Sequence, residues 1–360
     1  MNRLAAARTL IGLACTGRFG AIAARLEARR AAHMMMRTGQ FDPAFYQAQT
    51  VLPPGADLLR HYAEHGRAAG IPPNPHTALR WRQSQALGAE LPPSRLRSHR
   101  LLVGIVTYDT PPATLQRAVR SVQIAASRAG IRADLLLLDN GGPSGAAITG
   151  AGILPSAGNV GFGAGHNRLM QAAWDRGADH YLALNPDAAL HPDALGALLR
   201  MAHAAEGRAL VQTIQFPAEH TVTYDPVTFD TPWISGACML LPRSVVAAVG
   251  AFDDAFFMYC EDVDLSWRAR AAGFLTLTCP AAMLFHPTTD RVLDLRTHKM
   301  FLDSGLRLAV KWRDPVFAAF ARAELKRLEL PEPDLSAIVP VPDPAMADFT
   351  QSFAFAAGRW

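Results

Sequence analysis

Three carboxylates within four residues stand out as groups that could do chemistry. Glu261, Asp262 and Asp264 follow the aromatic and apolar run FFMYC at 256–260. Burying an unpaired carboxylate costs several kcal/mol, so acids in apolar surroundings need a cation, a partner or a chemical role. One interpretation is a general base at the rim of a cleft. The alternative is an acidic first turn of a helix, with Asp264 and Arg268 as an i,i+4 pair on its surface.

Further polar residues follow apolar runs that are typical of strands. Asp139 ends a run of four leucines, Asp187 follows HYLAL in the sequence HYLALNPD, and His286 ends a third apolar run. A carboxylate at a strand end can hold a divalent cation, and a neutral imidazole can be a further ligand. Asn, Pro and Asp also favour turns, and a histidine is often structural. The residues alone therefore leave both interpretations open.

A glycine-rich segment, NVGFGAGHN at 159–167, has glycines at alternate positions. Such a segment lets a backbone approach a diphosphate. His166 occupies the position of the third glycine of GxGxxG, which argues against a dinucleotide site. The chain contains no GxxxxGK[ST] and no GxSxG, which excludes a P-loop and weakens a serine hydrolase hypothesis.

The elements that must position these residues alternate in type from residue 101 onward. We predict strands at 101–107, 134–138 and 180–184 and helices at 111–128, 165–176 and 191–205. Such βαβ series bind ligands at the carboxyl ends of their strands. Thr107, Asp139 and Asn185 stand at or next to those ends. We therefore predict an α/β fold with one ligand-binding edge.

The remaining segments give the domain organisation. Further strands are predicted at 209–216, 237–241, 274–278 and 283–285, and one or two helices at 294–328. The predicted domains are a basic amphipathic helical arm (1–37), a small helical module (38–90), a linker (91–100), a Rossmann-like domain with helices on its sheet (101–292), and C-terminal helices with a Pro-rich tail (293–360). In the small module, Asp42–Pro43 predicts a helix start.

Charge is distributed unevenly along the chain. Residues 1–100 carry 14 Lys and Arg against 5 Asp and Glu, whereas residues 101–360 carry 21 against 26. A basic arm before a mildly acidic body favours contact with an anionic surface, unless the Arg and Ala enrichment only reflects base composition. We expect peripheral contact with the inner face of the plasma membrane through residues 1–37, and no nucleic-acid partner.

The cysteine spacing and the hydropathy of the chain both bear on its cellular compartment. The four cysteines form no CxxC and no zinc-site spacing, which favours a reducing cytoplasm. No apolar run reaches about 18 residues, so we predict no transmembrane helix.

Taken in order, the motifs resemble those of a known family. TYD, LDN, NVGFGAGHN, LNPDA, SGACMLLPR, the segment around EDVDLSWR, and FHP occur in this order in family 2 glycosyltransferases, and are most similar to the rhamnosyltransferase-like branch of bacterial polysaccharide assembly. The resemblance covers about residues 101–290. Residues FDPAFY and HYAEHG also resemble short units that accompany glycosyltransferases of bacterial surface polysaccharides.

The resemblance implies a GT-A fold and an inverting, metal-dependent glycosyltransferase. The donor would be a nucleotide-diphosphate sugar, with rhamnose as one candidate sugar, and the acceptor a growing glycan or a lipid-linked sugar. Mg²⁺ or Mn²⁺ would be the cofactor. Asp262 would be the base, with Glu261 assisting acceptor placement. Asp187 would take the last position of the DxD metal motif and His286 a second metal contact.

The resemblance also assigns residues to the nucleotide sugar. Thr107, Tyr108 and Asp139 would border the base and ribose. The donor loop would be lined by Asn159, Gly161, Gly163 and Asn167, and Asn185 would take the first position of the metal motif. Trp233 either stacks on a sugar or packs in the core. Two other functions share parts of this pattern: a sugar nucleotidyltransferase, which would favour a basic, glycine-rich loop after the first strand, and a non-catalytic scaffold of glycan assembly.

Overall fold

The structure is a computed structural model, which we describe for Met35 and for residues 41–53, 55–67, 69–75, 77–78, 98–141, 148–287, 294–350 and 353–355. The chain divides into two units, residues 1–82 and 83–360. Almost all of the predicted basic arm, and most of the predicted linker, lie outside the described residues. Among the described residues, no helix has the length and hydropathy that a membrane span requires.

The first unit is a pair of short helices around an aromatic cluster. Helix α1 (Pro43–Ala48) begins at Asp42, whose Oδ1 accepts the N–H of Phe45 at 2.9 Å, so the predicted helix start is confirmed. Helix α2 (Leu58–His61) begins at Asp57 and continues as a π turn over Tyr62–Gly66. The rings of Phe41, Tyr46 and Tyr62 contact one another, which gives this small unit its core.

The second unit is built on a mixed sheet of eight strands within the described residues. The strands are β1 (Leu101–Thr107), β2 (Ala133–Asp139), β3 (Gly152–Pro155), β4 (His180–Leu184), β5 (Ala189–Leu190), β6 (Ala209–Phe216), β7 (Cys238–Pro242) and β8 (Leu275–Phe285). Their order is β3-β2-β1-β4-β7-β6-β8-β5. Strands β1 to β4 are parallel, whereas β7 runs antiparallel to β4 and β6.

Seven helices accompany this sheet in the described part of the second unit. They are α3 (Pro112–Ala129), α4 (Phe162–Asp175), α5 (Ala194–Ala204), α6 (Arg243–Val249), α7 (Glu261–Ala271), α8 (Leu295–Lys311) and α9 (Pro315–Arg327). Side chains of α4, α6 and α7 pack on one face of the sheet in a common apolar core. Helices α3 and α5 pack together on the other face. Helices α8 and α9 form a second core with Trp233, Trp267 and the aromatic tail.

The predicted strands 101–107, 180–184 and 209–216 are confirmed at both ends. Helix α4 begins at Phe162, three residues before its predicted start. The two strands predicted at 274–278 and 283–285 are one strand, β8, whose pairing with β6 shifts register between Thr213 and Ile214. Strands β3 and β5 and helix α6 were not predicted.

Candidate active site

The polar residues predicted at strand ends lie at the carboxyl ends of the parallel strands. Thr107 and Asp139 are register partners at the ends of β1 and β2, and Asn185 follows the neighbouring strand β4. Thr107 is buried, while Tyr108 is exposed beside it. The polar residues picked out at strand ends therefore share one edge of the sheet, as the sequence predicts.

A turn at Gly236 and Ala237, directly before β7, connects this edge with the acidic helix. The N–H of Gly236 donates to Oδ2 of Asp262 at 2.8 Å. The carbonyl of the next residue, Ala237, accepts the N–H of Asn185 at 3.0 Å. Neighbouring Cα atoms are about 3.8 Å apart, so Asp262 and Asn185 are held by adjacent residues of one segment. The acid pair and the Asn185–Asp187 turn thus lie at the same edge.

The acid pair begins α7 in a strained stretch of backbone. Tyr259 and Cys260 have φ of 70° and 67°, a left-handed conformation that costs a non-glycine residue on the order of 1–3 kcal/mol. The ring of Tyr259 stacks on Phe301, with centroids 3.7 Å apart, and Ser304 donates to the carbonyl of Met258 at 2.7 Å. Helix α8 therefore holds the strained turn that places the acids.

Glu261 and Asp262 differ in their hydrogen bonds. Asp262 is partly exposed and accepts the N–H groups of Gly236 and Val263, each at 2.8 Å. Glu261 is buried, and its Oε2 has no hydrogen-bond partner among the described residues. Burial raises the pKa of Asp262, while those N–H groups oppose the rise. Burial, and then the neighbouring Asp262 charge, raise the pKa of Glu261 well above its usual value. Of the two acids, Glu261 therefore favours its protonated form the more strongly.

The glycine segment packs directly against the acidic stretch. Gly161 has φ of 88°, and a Cβ there would lie 2.3 Å from the carbonyl oxygen of Phe257. The N–H of Phe162 donates to that same carbonyl at 2.9 Å. A Cβ at Gly163 would lie 3.6 Å from Glu261 Cβ and Cγ. These two glycines therefore allow close approach of two protein segments, and contact of this loop with a nucleotide sugar stays a prediction.

The asparagines predicted to line the donor loop hold the backbone of this region. Oδ1 of Asn159 accepts the N–H of Gly161 at 3.0 Å. Asn167 exchanges two hydrogen bonds with the backbone of Phe252 and donates to Oδ1 of Asp254 at 2.8 Å. Asn140 donates to the carbonyl of Gly161 at 3.1 Å. Contact of Asn159 or Asn167 with a nucleotide sugar remains a prediction.

The residues predicted to hold a metal ion meet at the ends of β4 and β8. Nε2 of His286 lies 3.5 Å from Oδ1 of Asp187 and 3.3 Å from Nδ2 of Asn185. Nδ1 of His286 lies 2.9 Å from Oε1 of Gln215. When Nδ1–H donates to Gln215, the lone pair of Nε2 can accept from the Asn185 amide or bind a cation shared with the Asp187 carboxylate.

The donor set suits an ion that is shared with a substrate. No group of three or more His, Cys, Asp or Glu in the described part of the chain converges to hold a metal by itself. Mg²⁺ is commonly bound by one or two carboxylates plus substrate phosphates. Asp187 and His286, next to the Asn185 amide, therefore fit an ion whose other ligands come from a diphosphate.

Trp233 packs in the core in this structure, which was one of the two alternatives for it. Its ring is buried among the side chains of the C-terminal core. Its Nε1–H donates to the carbonyl of Ala354 at 2.8 Å, and His220 packs against it edge-on. A sugar could stack on this ring only if the tail that covers it moved.

One part of the helical interpretation of the acids is wrong. Asp264 and Arg268 do form an i,i+4 ion pair, at 2.8 Å, but Asp264 is fully buried and not on the surface. Oδ1 of Asp264 lies 2.8 Å from Nζ of Lys311 and accepts Nε1–H of Trp312 at 3.0 Å. Burial is tolerated because helix α8 brings these partners to it.

Two residues of the site were not identified from the sequence. Gln215 orients His286, and its polar side chain near the end of an apolar strand was the available signal. Gly236 holds Asp262 through its backbone N–H, for which residue type gives no signal.

Comparison with known proteins decides the family. No family model matches the chain. It is 30% identical over 235 residues to the N-acetylglucosaminyl-diphospho-decaprenol L-rhamnosyltransferase of Mycobacterium tuberculosis, covering 52% of this chain and 75% of that protein. The chain belongs to the rhamnosyltransferase-like family 2 glycosyltransferases. The glycosyltransferase is also 41% identical over 54 residues to rhamnosyltransferase WbbL of Escherichia coli K12, which is 15% of this chain and 20% of that protein.

A solved structure establishes the fold of this glycosyltransferase. GalNAc-T7, solved with UDP, GalNAc and Mn²⁺, superposes with a TM-score of 0.51 and 13% identity, over 66% of this chain and 52% of that one. The glycosyltransferase therefore has the GT-A fold that the sequence resemblance implies.

Proposed function

We propose that this glycosyltransferase moves a sugar, rhamnose in the first instance, from a nucleotide diphosphate to a hydroxyl of a lipid-linked or growing glycan acceptor, with inversion. The observation that carries the proposal is the turn at Gly236 and Ala237, whose backbone contacts Asp262 and Asn185. It holds the Asp262 carboxylate and the Asn185–Asp187 turn at one edge, which supports a base and a diphosphate site that act on the same bond. The choice of rhamnose and of a lipid-linked acceptor follows the name of the mycobacterial relative.

The donor would bind along the edge formed by β1, β2 and β4. Thr107, Tyr108 and Asp139 would border its base and ribose, and the 159–167 segment its diphosphate. Asp187 and His286 would hold the metal ion, Mg²⁺ or Mn²⁺. When bound, that ion would neutralise the negative charge that develops on the leaving diphosphate.

Asp262 is the base in this proposal. It takes the proton of the acceptor hydroxyl while the hydroxyl oxygen forms its bond to the anomeric carbon. The bond between that carbon and the diphosphate oxygen breaks, and the electron pair leaves with the nucleotide diphosphate. General base catalysis of this kind typically contributes ~10²–10⁴-fold. The N–H groups of Gly236 and Val263 donate to Asp262 and favour its ionised form, whereas Oε2 of buried Glu261 has no hydrogen-bond partner among the described residues.

The test is a transfer assay with a panel of UDP-, dTDP- and GDP-sugars and a polyprenyl-diphosphate-linked N-acetylglucosamine acceptor, with products followed by mass spectrometry and their anomeric configuration by NMR. We expect one rhamnosyl donor to be consumed with the acceptor, giving the inverted product, and EDTA to stop the reaction until Mn²⁺ is restored. Release of pyrophosphate would indicate a nucleotidyltransferase instead. A product with retained configuration would exclude the single displacement, and no consumption of any donor would favour a scaffold.

A further inference from the structure

An apolar block lies at the ends of β6 and β8, beyond the residues used above. Phe216, Met283 and Phe285 are 52%, 40% and 38% exposed. Phe216 and Phe285 are register partners with ring centroids 6.3 Å apart, and Met283 lies two residues before Phe285 on the same face of β8. The three side chains are therefore contiguous, unlike the single exposed apolar residues of an ordinary surface.

The block adjoins the metal-binding corner but faces away from it. The N–H of His286 donates to the carbonyl of Phe216 at 2.8 Å. Because side chains alternate along a strand, Gln215 and His286 point to one face of the sheet and Phe216 and Phe285 to the other. A surface that covered the block would therefore lie against the same end of the sheet as the proposed site without entering it.

Cationic side chains accompany the block. The guanidinium of Arg117 on α3 lies 5.9 Å from the centre of the Phe285 ring. Arg120, one turn later on the same helix, is also exposed. Among nearby acids, Glu219 lines a small cavity with Ile214 and Gln215. Apolar and aromatic groups beside arginines match the interfacial region of an anionic bilayer.

We propose that the block formed by Phe216, Met283 and Phe285, with Arg117 and Arg120, docks on an anionic phospholipid bilayer. The aromatic rings enter the headgroup region, and the guanidinium groups lie among the lipid phosphates. This contact is separate from any made by residues 1–37. It also places the edge that carries Asp187 and Asp262 next to the membrane surface, where a lipid-linked acceptor would be presented.

The test uses the full chain carrying Met283→Cys and Cys15→Ser, labelled with an environment-sensitive fluorophore. The cysteines at 238, 260 and 279 are buried and should not compete for the label. The matched control carries the label at Val316→Cys, an exposed apolar position on α9. On adding phosphatidylglycerol–phosphatidylcholine vesicles, we expect a blue shift at position 283, none at 316, and a much weaker response with phosphatidylcholine alone.

Two further variants test the cations. In the double variant Arg117→Gln, Arg120→Gln, the lipid concentration that gives half of the shift at position 283 should rise about thirtyfold. This is the change expected when two arginines lose contact with an anionic surface. Transfer to a short water-soluble acceptor should be unchanged, which separates this proposal from the reaction itself. Vesicle binding without a change in the fluorescence of the label at 283, equal shifts at 283 and 316, or no vesicle binding would each overturn the proposal. So would a label at 283 that another part of the chain already shields from water.

Discussion

The two acids that begin α7 show how adjacent residues of similar chemistry acquire different roles. Asp262 accepts hydrogen bonds from two backbone N–H groups, which stabilise its charge, while Glu261 is buried against the glycine segment and its Oε2 has no partner among the described residues. The pKa of Glu261 is raised by burial and then by the Asp262 charge. The environment therefore favours a proton on Glu261 over one on Asp262.

This division predicts a pH profile. Burial raises the pKa of Asp262, so transfer should fall as pH decreases through that raised value, because the protonated acid cannot accept the acceptor proton. Glu261→Gln should keep transfer within about tenfold and leave the low-pH limb in place, because glutamine resembles a protonated glutamate. The measurement is kcat/KM against pH for both enzymes. If Glu261→Gln abolishes transfer while the protein stays folded, Glu261 is the base.

The glycine segment gives a prediction about close approach. Gly161→Ala would place a Cβ 2.3 Å from the Phe257 carbonyl at φ of 88°, whereas at Gly141, with φ of 111°, nothing lies within 4 Å. Both substitutions carry backbone strain, but only the first adds a clash. We expect Gly161→Ala to lower the free energy of unfolding by about 1–3 kcal/mol more than Gly141→Ala, measured by urea denaturation. Equal losses would mean that the two segments are not tightly packed.

At the scale of elements, helix α8 fixes helix α7 through buried charge. Asp264 is paired with Arg268 of its own helix and with Lys311 of α8, and Lys311 also lies 2.5 Å from Oδ2 of Asp253. The guanidinium of Arg268 donates to the carbonyl of Val249 at 2.6 Å. The C-terminal helices thus position the acid pair although they contribute no group to it.

Removing Lys311 should therefore be costly. Lys311→Met leaves Asp264 buried with one cation fewer, and breaking a buried pair of this kind typically costs about 3–5 kcal/mol of folding free energy. The control is Arg322→Met, which breaks the exposed pair with Glu332 and should cost less than about 1 kcal/mol. Urea denaturation followed by circular dichroism compares the two. Similar small losses would show that the buried pair does not hold α7.

The same elements show which features could be read from the sequence. The continuous apolar runs of β1, β4 and β6 were readable because both faces of a central strand are covered. Strand β5 has two residues, too few to show any periodicity, and β3 is largely exposed. The burial of Asp264 could not be predicted because one partner, Trp312, lies 48 residues away in sequence. The site residues themselves were found by type and order, but the hydrogen bond from Gly236 depends on backbone geometry alone.

At the scale of the whole molecule, the edge opposite the candidate site carries a histidine cluster. The ring of His99 lies 5.0 Å from that of His180, which begins β4, and 5.9 Å from that of His203 at the end of α5. Burial, and then His99, lower the pKa of His180 to about 4. Burial and then His203 lower the pKa of His99. The folded chain therefore favours the neutral rings of His99 and His180.

The cluster should make stability depend on pH. Because the folded pKa of His180 lies below the value of about 6.5 in an unfolded chain, its contribution is fully present above that value and is lost as pH falls toward 4. Between pH 7 and 4, the free energy of unfolding of the wild type should fall by on the order of 2–3 kcal/mol more than that of His180→Gln. The control is His191→Gln, at an exposed histidine, which should behave like the wild type. Denaturant titrations at several pH values measure this. Parallel curves for the wild type and His180→Gln would contradict it.

Asp187 and Asp262, 75 residues apart in sequence, lie at the same edge of the sheet. Strand β7 runs antiparallel beside β4, and the two residues before β7 bond to Asp262 and to Asn185. In the proposed reaction, Asp262 acts only on the acceptor, whereas Asp187 acts only on the donor diphosphate.

The most direct test of this account measures donor binding and transfer side by side in Asp262→Asn. The account predicts an unchanged dissociation constant for the nucleotide sugar with Mn²⁺ by calorimetry, and transfer lowered by about 10²–10⁴-fold. The paired variant Asp187→Asn should instead weaken donor binding. Normal transfer by Asp262→Asn, or loss of donor binding in that variant, would contradict the assignment of Asp262 as the base.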